Sequence, residues 1–300
     1  MPPSYLFPLP NLETDYQLAF NEDWSAGLSI VAGGVYDPTD GSFISAVPTP
    51  EARWKSHQVG YDDFGEAPFA DPDQYSGDGE GNAFPHHVRT SDSGEPVLRT
   101  TLTTNAVGAS GAWKGGLLSS VDGYRNGYTA KYGYWECKAK MPYGEGIWPA
   151  FWLVTAPKID EAFYGMPDGK IEIDGPEYYG QGDTTDGFEF KWVIHKWLPE
   201  PHVELQNVST FVPFSPHTDY HTYGILVTPD LIVGYIDRQP IAQFPTPSEH
   251  TDSPSELAIM YDLALGGGYP TEDTPDPSYI DCAYIKVWTP KFVDQPTFTP

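Results

Sequence analysis

The 300-residue sequence has few methionines, cysteines and basic residues. It contains 4 Met, 2 Cys and 16 Lys and Arg residues against 42 Asp and Glu residues, which gives a formal net charge of −26. A negative field of this size repels the phosphates of nucleic acids and of anionic membranes, so we expect neither as a partner. A neutral polymer approaches such a surface more easily than a polyanion.

Long apolar runs and sustained helical periodicity are also lacking. No apolar stretch reaches the roughly 18 residues that a membrane-spanning helix needs. Residues 1–10 show neither the basic nor the apolar region of a signal peptide. An extracellular location then implies that a leader has been removed, that export proceeds without one, or that the protein is a phage component.

The sequence is instead rich in the residues of short strands and turns. It contains 20 Tyr, 15 Phe, 9 Trp, 30 Gly and 31 Pro. Aromatic side chains suit pleated surfaces, and Gly and Pro separate short strands with turns. We find no internal repeat and no linker, so we predict one all-β domain over residues 1–300, with its core at about 16–290. The regular succession of strands predicts a β-jelly roll sandwich of two antiparallel sheets. The main predicted strands are 97–103, 115–120, 131–141, 147–154, 170–175, 187–197, 222–228, 231–237, 257–264 and 279–288.

The two cysteines lie in predicted strands whose alternation can be followed. Cys137 shares a face with the apolar residues of 133–141 and is predicted to point into the core. In residues 281–287 the apolar alternation runs through Ala283, which leaves Cys282 on the other face. Opposite orientations argue against a disulfide bond, although geometry can overrule parity.

A cluster of three acids carries the densest chemistry. On a strand, Glu172 and Asp174 point to the same face. Glu177 is an odd number of positions from Glu172, so a regular strand would place it on the opposite face. A bulge at Gly175-Pro176 would return it to the same face, and neither residue suits a regular central ladder.

Three acids on one face suit retaining cleavage of a glycosidic bond. One carboxylate attacks the anomeric carbon, and a second, roughly 5–5.5 Å away, protonates the leaving oxygen and later activates water. We predict Glu172 as the nucleophile, Glu177 as the acid/base and Asp174 as the residue that tunes their proton affinity. The spacing alone would also fit a solvated acidic face or three ligands for a hard cation.

Tryptophans near the acids favour a sugar-binding cleft. Trp148 and Trp152 share one face of the strand at 147–154, and the C–H face of a sugar ring stacks on flat aromatic rings. His195 and Trp197 share a face of the strand at 187–197, where His195 could hydrogen-bond the acids or relay protons. Ordinary core packing is the alternative for either tryptophan of the first strand, and a structural role is the alternative for His195.

Together these segments resemble glycoside hydrolase family 16, and most of all its laminarinase-like branch with a bulged E-x-D-x-x-E motif. The similarity covers roughly residues 16–290. The matching segments, in family order, are 132–142, 144–153, 172–177, 220–225, 235–237, 264–268 and 280–288.

The resemblance implies a jelly roll with a concave substrate cleft and endo-action with retention of configuration. The substrate expected is a β-1,3 or mixed-linkage glucan, or a bacterial exopolysaccharide with such a backbone. The resemblance also implies a structural calcium with Glu22 and Asp281 among its ligands, and a sugar-contacting role for Asn82. No cofactor is expected for catalysis, and we expect an extracellular monomer.

Three other readings compete with hydrolysis. A transglycosylase would use the same acids with a sugar as acceptor in place of water. A catalytically silent lectin would tolerate loss of Glu172 or Glu177, and a capsid-type jelly roll predicts neither the aligned acids nor the tryptophans. A sulfated galactan is disfavoured as substrate because the cleft strands offer few basic residues apart from Lys191 and Lys196.

Overall fold

The computed structural model describes residues 6–31, 35–36, 43–44, 52–56, 64–70, 85–105, 111–121, 127–156, 169–180 and 187–291. Strands dominate this part of the chain, and one short helix, α1, spans Ser248–Thr251. No helix of the described residues is long and apolar enough to span a membrane. The strands are β1 (Tyr16–Glu22), β2 (Ile30–Val31), β3 (Val35–Tyr36), β4 (Phe43–Ile44), β5 (Trp54–Lys55), β6 (His86–Thr90), β7 (Pro96–Leu102), β8 (Gly116–Ser119), β9 (Thr129–Ala130), β10 (Gly133–Lys140), β11 (Ile147–Thr155), β12 (Lys170–Tyr178), β13 (Phe188–Leu198), β14 (Val203–Val212), β15 (His221–Val227), β16 (Leu231–Ile236), β17 (Gln239–Pro245), β18 (Leu257–Leu265) and β19 (Ser278–Pro290).

Two large sheets form the sandwich, which confirms the predicted all-β jelly roll. The first sheet has the order β17-β16-β15-β10-β19-β7-β6, and β1 pairs with β19 beside it. The second has the order β14-β13-β12-β11-β18-β8-β5-β2, and β9 pairs with β18. The pairing is antiparallel apart from the short β2–β5 contact. The strand β12, which carries the acids, lies between β13 and β11. Beyond these two lie β14 and β18, so β12 is an interior strand of the second sheet.

The main core lies between the sheets and is built from alternate strand residues. On β12, Ile171 and Ile173 enter this core, and on β11 Phe151 and Leu153 do the same. The intervening residues of β11 and β12 therefore point away from the core, onto a surface that we call the cleft face. The predicted alternation of β11 and β12 is confirmed.

Several short or edge strands of the sandwich are missing from the sequence prediction, among them β6, β14 and β17. β14 forms the edge of the second sheet, and its side chains are mostly exposed. β17 forms an edge of the first sheet and includes Pro240 and Pro245. Edge strands pack little apolar surface and tolerate proline, so they carry a weak periodic signal.

The prediction that the two cysteines point to opposite faces is wrong. Lys138 pairs with Tyr284 and Ala139 pairs with Cys282, so Ala283 is an extra residue on β19. This bulge reverses the alternation and brings Cys282 into the core, where it is fully buried. The sulfur atoms of Cys137 and Cys282 are 3.6 Å apart.

Candidate active site

The three acids of β12 lie on the cleft face, and the predicted bulge at Gly175-Pro176 is confirmed. Asp174 pairs with Val193 of β13, and Glu177 pairs with Lys191, so three steps along β12 match two along β13. The same shift occurs against β11. Gly175 turns toward the core, where a Cβ atom would collide with the ring of Trp192.

Glu172 lies between an indole and an ammonium group. The Nε1–H of Trp197 donates to its Oε2 atom at 3.1 Å, which brings this predicted residue to the acids. Lys170 is buried two residues earlier on the same strand. Burial, followed by repulsion from Asp174, raises the pKa of Glu172 to about 8. Burial lowers the pKa of Lys170 to about 8, and its positive charge favours the ionised form of Glu172.

Glu177 accepts two hydrogen bonds on one oxygen. The Tyr179 hydroxyl donates to Oε1 at 2.8 Å, and the Trp148 Nε1–H donates to the same atom at 3.0 Å. Burial raises the pKa of Glu177, while these two donors act in the opposite direction. Since both donors use Oε1, the Oε2 atom is the one suited to carry and deliver a proton. The sequence analysis missed Tyr179, which the restored alternation after the bulge places on the cleft face.

Asp174 lies between the other two acids and beside His195. Nε2 of His195 is 3.3 Å from its Oδ2 atom, so His195 reaches the acids as predicted. Nδ1 of His195 is 3.0 Å from Nε2 of His202, an exposed residue just before β14. Burial and repulsion from Glu177 raise the pKa of Asp174 well above its usual value.

A fourth acid, Asp262 of β18, lies under the site and was missed by the sequence analysis. It is fully buried, and its Oδ1 atom accepts the Trp152 Nε1–H at 2.7 Å. Burial raises its pKa well above the usual value, and its charge raises that of Asp174. The signal was present, because Asp262 is the one charged residue in the apolar stretch Leu257–Leu265.

The two tryptophans of β11 have different environments. Trp148 is half-buried, and its ring stacks on Tyr179 at a centroid distance of 5.8 Å. Trp152 is 5% exposed and packs in a second apolar cluster with Phe69, which Phe64 covers. Phe64 and Phe69 pack on the Trp152 ring, so the core-packing alternative describes much of its surroundings, and direct sugar binding by Trp152 stays a prediction. Trp148 keeps a ring edge within reach of the cleft.

The remaining predicted ligands lie away from this cluster or outside the described residues. Both oxygens of Asp281 accept from Arg99, each at 2.7 Å. Glu22 accepts from Trp54 Nε1 at 3.1 Å and from Arg53 at 3.3 Å. Glu22 pairs with Ile285, four residues from Asp281 along β19. Cationic and N–H donors already satisfy these carboxylates, so the pair does not fit a shared calcium site. Asn82 lies outside the described residues.

The arrangement combines proton storage with a possible cation site. In the cluster, burial disfavours the ionised form of all three acids, and repulsion from a neighbouring acid adds to this effect for Glu172 and Asp174. Ionisation of one acid therefore makes a neighbour hold its own proton more tightly. This is the property that acid/base chemistry by paired carboxyls requires. Within the described residues, ligand atoms of Glu172, Asp174 and His195 also lie within 4.8 Å of one another. A divalent cation could bind there, so chelation is a necessary control in any assay.

Comparisons with known proteins agree with this geometry. Residues 85–276 match the sequence model of the family described as Glycosyl hydrolases family 16. The chain is 30% identical over 206 residues to endo-1,3-1,4-beta-glycanase ExsH of Rhizobium meliloti (strain 1021), covering 64% of this chain and 39% of that protein. It is 29% identical over 164 residues to endo-1,3-1,4-beta-glycanase EglC of the same strain, covering 54% of this chain and 31% of that protein. The chain thus spans well under half the length of these two curated relatives.

A solved structure supports the fold. The catalytic domain of an endo-1,3-beta-glucanase (laminarinase) from Thermotoga petrophila RKU-1 superimposes with a TM-score of 0.62. The superposition covers 93% of this chain and 99% of that one, at 19% sequence identity. At this identity the likeness shows the fold of the chain.

Proposed function

Because the chain belongs to glycosyl hydrolase family 16, we propose that it is an enzyme, a retaining and endo-acting glycoside hydrolase that cleaves β-linked polysaccharide. The observation that carries the proposal is the alignment of Glu172, Asp174 and Glu177 on one face of β12. Each outer acid has its own hydrogen-bond donors, and burial raises the proton affinity of all three.

In the proposed first step, Glu172 attacks the anomeric carbon and the bond to the leaving oxygen breaks. Oε2 of Glu177 gives its proton to that oxygen, and a covalent glycosyl–Glu172 ester forms. Burial raises the pKa of Glu172 to about 8, and the charge of Lys170 and the indole N–H of Trp197 act in the opposite direction, toward the ionised form that a nucleophile requires. The donors on Oε1 of Glu177 hold its other oxygen in one orientation.

In the proposed second step, Glu177 takes a proton from water, which attacks the anomeric carbon and releases Glu172. Two inversions at one carbon give overall retention of configuration. Asp174 holds a proton beside Glu172 and limits the repulsion that a charged neighbour would add. The two glutamates supply both the nucleophile and the acid/base, so we propose that catalysis needs no cofactor.

We propose a β-1,3 or mixed-linkage glucan, or a bacterial exopolysaccharide with such a backbone, as the substrate. Relatives named as endo-1,3-1,4-beta-glycanases support this class. The net charge of −26 favours a neutral polymer over a sulfated one. A polymeric substrate of this kind also supports an extracellular site of action.

The test is the release of reducing sugar from laminarin, mixed-linkage glucan, agarose and bacterial exopolysaccharides. Wild type, Glu172→Gln and a matched control, Glu204→Gln, would be compared with and without EDTA. Glu204 is exposed at the start of β14. We expect wild type to be active on a β-glucan. Glu172→Gln should lose this activity, Glu204→Gln should keep it, and EDTA should leave it unchanged. NMR of the first product should show a β-anomer.

Other outcomes would replace the proposal. Equal binding by wild type and Glu172→Gln with no release from any substrate would favour a lectin. Longer oligosaccharides formed from a labelled acceptor would favour a transglycosylase. An initial α-anomer would contradict the assignment of Glu172 as a nucleophile.

A further inference from the structure

Cys137 of β10 and Cys282 of β19 are neighbours in the main core. Their sulfur atoms are 3.6 Å apart, and both side chains are at most 1% exposed. The two strands are hydrogen-bonded along most of β10. The pair lies between the sheets, whereas the acids of β12 point away from the core, so this inference does not rest on the proposed function.

The bulge at Ala283 is what makes the contact. Cys137 pairs with Ile285. In a regular strand, Cys282 is an odd number of positions from Ile285 and would point to the opposite face. The extra residue turns Cys282 inward, so that two thiols separated by 145 positions in sequence touch at one point. The sulfurs are 3.6 Å apart, so they need to approach by about 1.5 Å to reach the length of an S–S bond.

We propose that Cys137 and Cys282 form a disulfide bond when the chain folds in an oxidising compartment, with a small-molecule disulfide as the oxidant. The thiolate of one cysteine attacks oxidised glutathione, which forms a mixed disulfide and releases one glutathione thiolate. The second cysteine then attacks the mixed disulfide, forms the Cys137–Cys282 bond and releases the second glutathione. The two cysteines lose two protons and two electrons, and one molecule of oxidised glutathione becomes two of the reduced form.

The exchange occurs before the core closes. Both sulfurs are inaccessible in the folded chain, and burial raises the pKa of the Cys137 thiol well above its usual value. Thiolates are the attacking species, so the folded, reduced protein exchanges slowly. The bond, once made, is protected from reductants for the same reason. It ties β19 to β10 and closes a loop of 145 positions in the unfolded state.

The test compares full-length protein refolded from urea with oxidised and reduced glutathione against protein refolded with dithiothreitol. Each sample would be unfolded with iodoacetamide present and weighed by intact mass spectrometry. We expect the first to take up no alkyl group and to be lighter by about 2 Da than the unalkylated reduced chain, the mass of two hydrogens. The second should take up two alkyl groups. The oxidised form should melt about 5–10 °C higher, as expected for a long closed loop.

Single variants supply the matched controls. Cys137→Ser and Cys282→Ser should each show one reactive thiol and the same melting temperature under both conditions. If either variant fails to fold, the two wild-type samples still decide the question. Two alkylated cysteines, two glutathione adducts or a disulfide-linked dimer in the oxidised wild type would overturn the proposal. A disulfide that lowers the melting temperature would overturn the claim that the fold accommodates it.

Discussion

Replacing Glu172 with Gln is expected to remove activity and stabilise the fold at alkaline pH. The pKa of Glu172 rises from 4.5 to about 8 in the folded chain, chiefly through burial. A raised pKa means that the folded chain keeps a proton that the unfolded chain has already released. The free energy of unfolding contributed by this residue is therefore highest below about pH 4.5 and falls as the pH rises to about 8.

The size of the effect follows from the shift. The full difference between 4.5 and about 8 corresponds to about 5 kcal/mol, at about 1.36 kcal/mol for each pKa unit. The Glu172 side chain is partly exposed at the cleft face, so solvent offsets much of this cost. We expect Glu172→Gln to gain about 1–3 kcal/mol over wild type at pH 9 and almost nothing at pH 5.

Urea unfolding followed by tryptophan fluorescence at pH 5, 7 and 9 would measure the difference. Glu204→Gln is the control, because it removes the same charge from an exposed position on β14. The control should track wild type at every pH. The same preparations should show a loss of kcat of about 10³-fold or more for Glu172→Gln. A Glu172→Gln variant that is less stable than wild type at pH 9 would refute the reasoning.

Three further substitutions test the surroundings of the site. Tyr179→Phe removes a donor that lowers the pKa of Glu177, so kcat should fall about 10-fold and its basic limb should move to higher pH in a pH–rate profile; an unchanged profile would contradict the contact. Asp262→Asn keeps an acceptor for indole but cannot ionise, so urea unfolding should show a gain of about 1–3 kcal/mol at pH 9 and little change at pH 3, below the usual pKa of 3.8; equal effects at both values would argue against a raised pKa. Asp281→Asn leaves Arg99 without a charged partner and should cost about 2–4 kcal/mol, measured by thermal melting; stabilisation of wild type by added calcium that Asp281→Asn loses would support the metal prediction.

The arrangement of the acids could be predicted from sequence because two simple rules applied. Strand parity placed Glu172 and Asp174 together, and the odd offset of Glu177 required a bulge where Gly175 and Pro176 disfavour a regular ladder. Both rules concern a strand that is buried on its core side, where alternation is strict. The same rules gave the faces of β11 correctly.

The failures have a common physical origin in contacts between distant segments. A bulge at Ala283 has no local signal comparable to Gly-Pro, so Cys282 was assigned to the wrong face. The face of Trp152 was predicted correctly, but its burial depends on residues 64–70, which are remote in sequence. Asp262 stands out as the one charged residue of an apolar strand, but its position under the acids depends on the pairing of β18 with β11.

The bulge in β12 has a further consequence for the spacing of the three acids, when that spacing is counted along the neighbouring strand β11. Glu172, Asp174 and Glu177 pair with Val154, Trp152 and Ala150 of β11, at equal intervals of two residues. The acids are thus spaced as on a strand without an insertion, and the extra residue is absorbed on the core side, where Gly175 accommodates Trp192. Catalytic spacing and motif length are consequently independent quantities here. A chain with one residue fewer between its second and third acids could present the same catalytic surface, provided that its core made room for a regular strand.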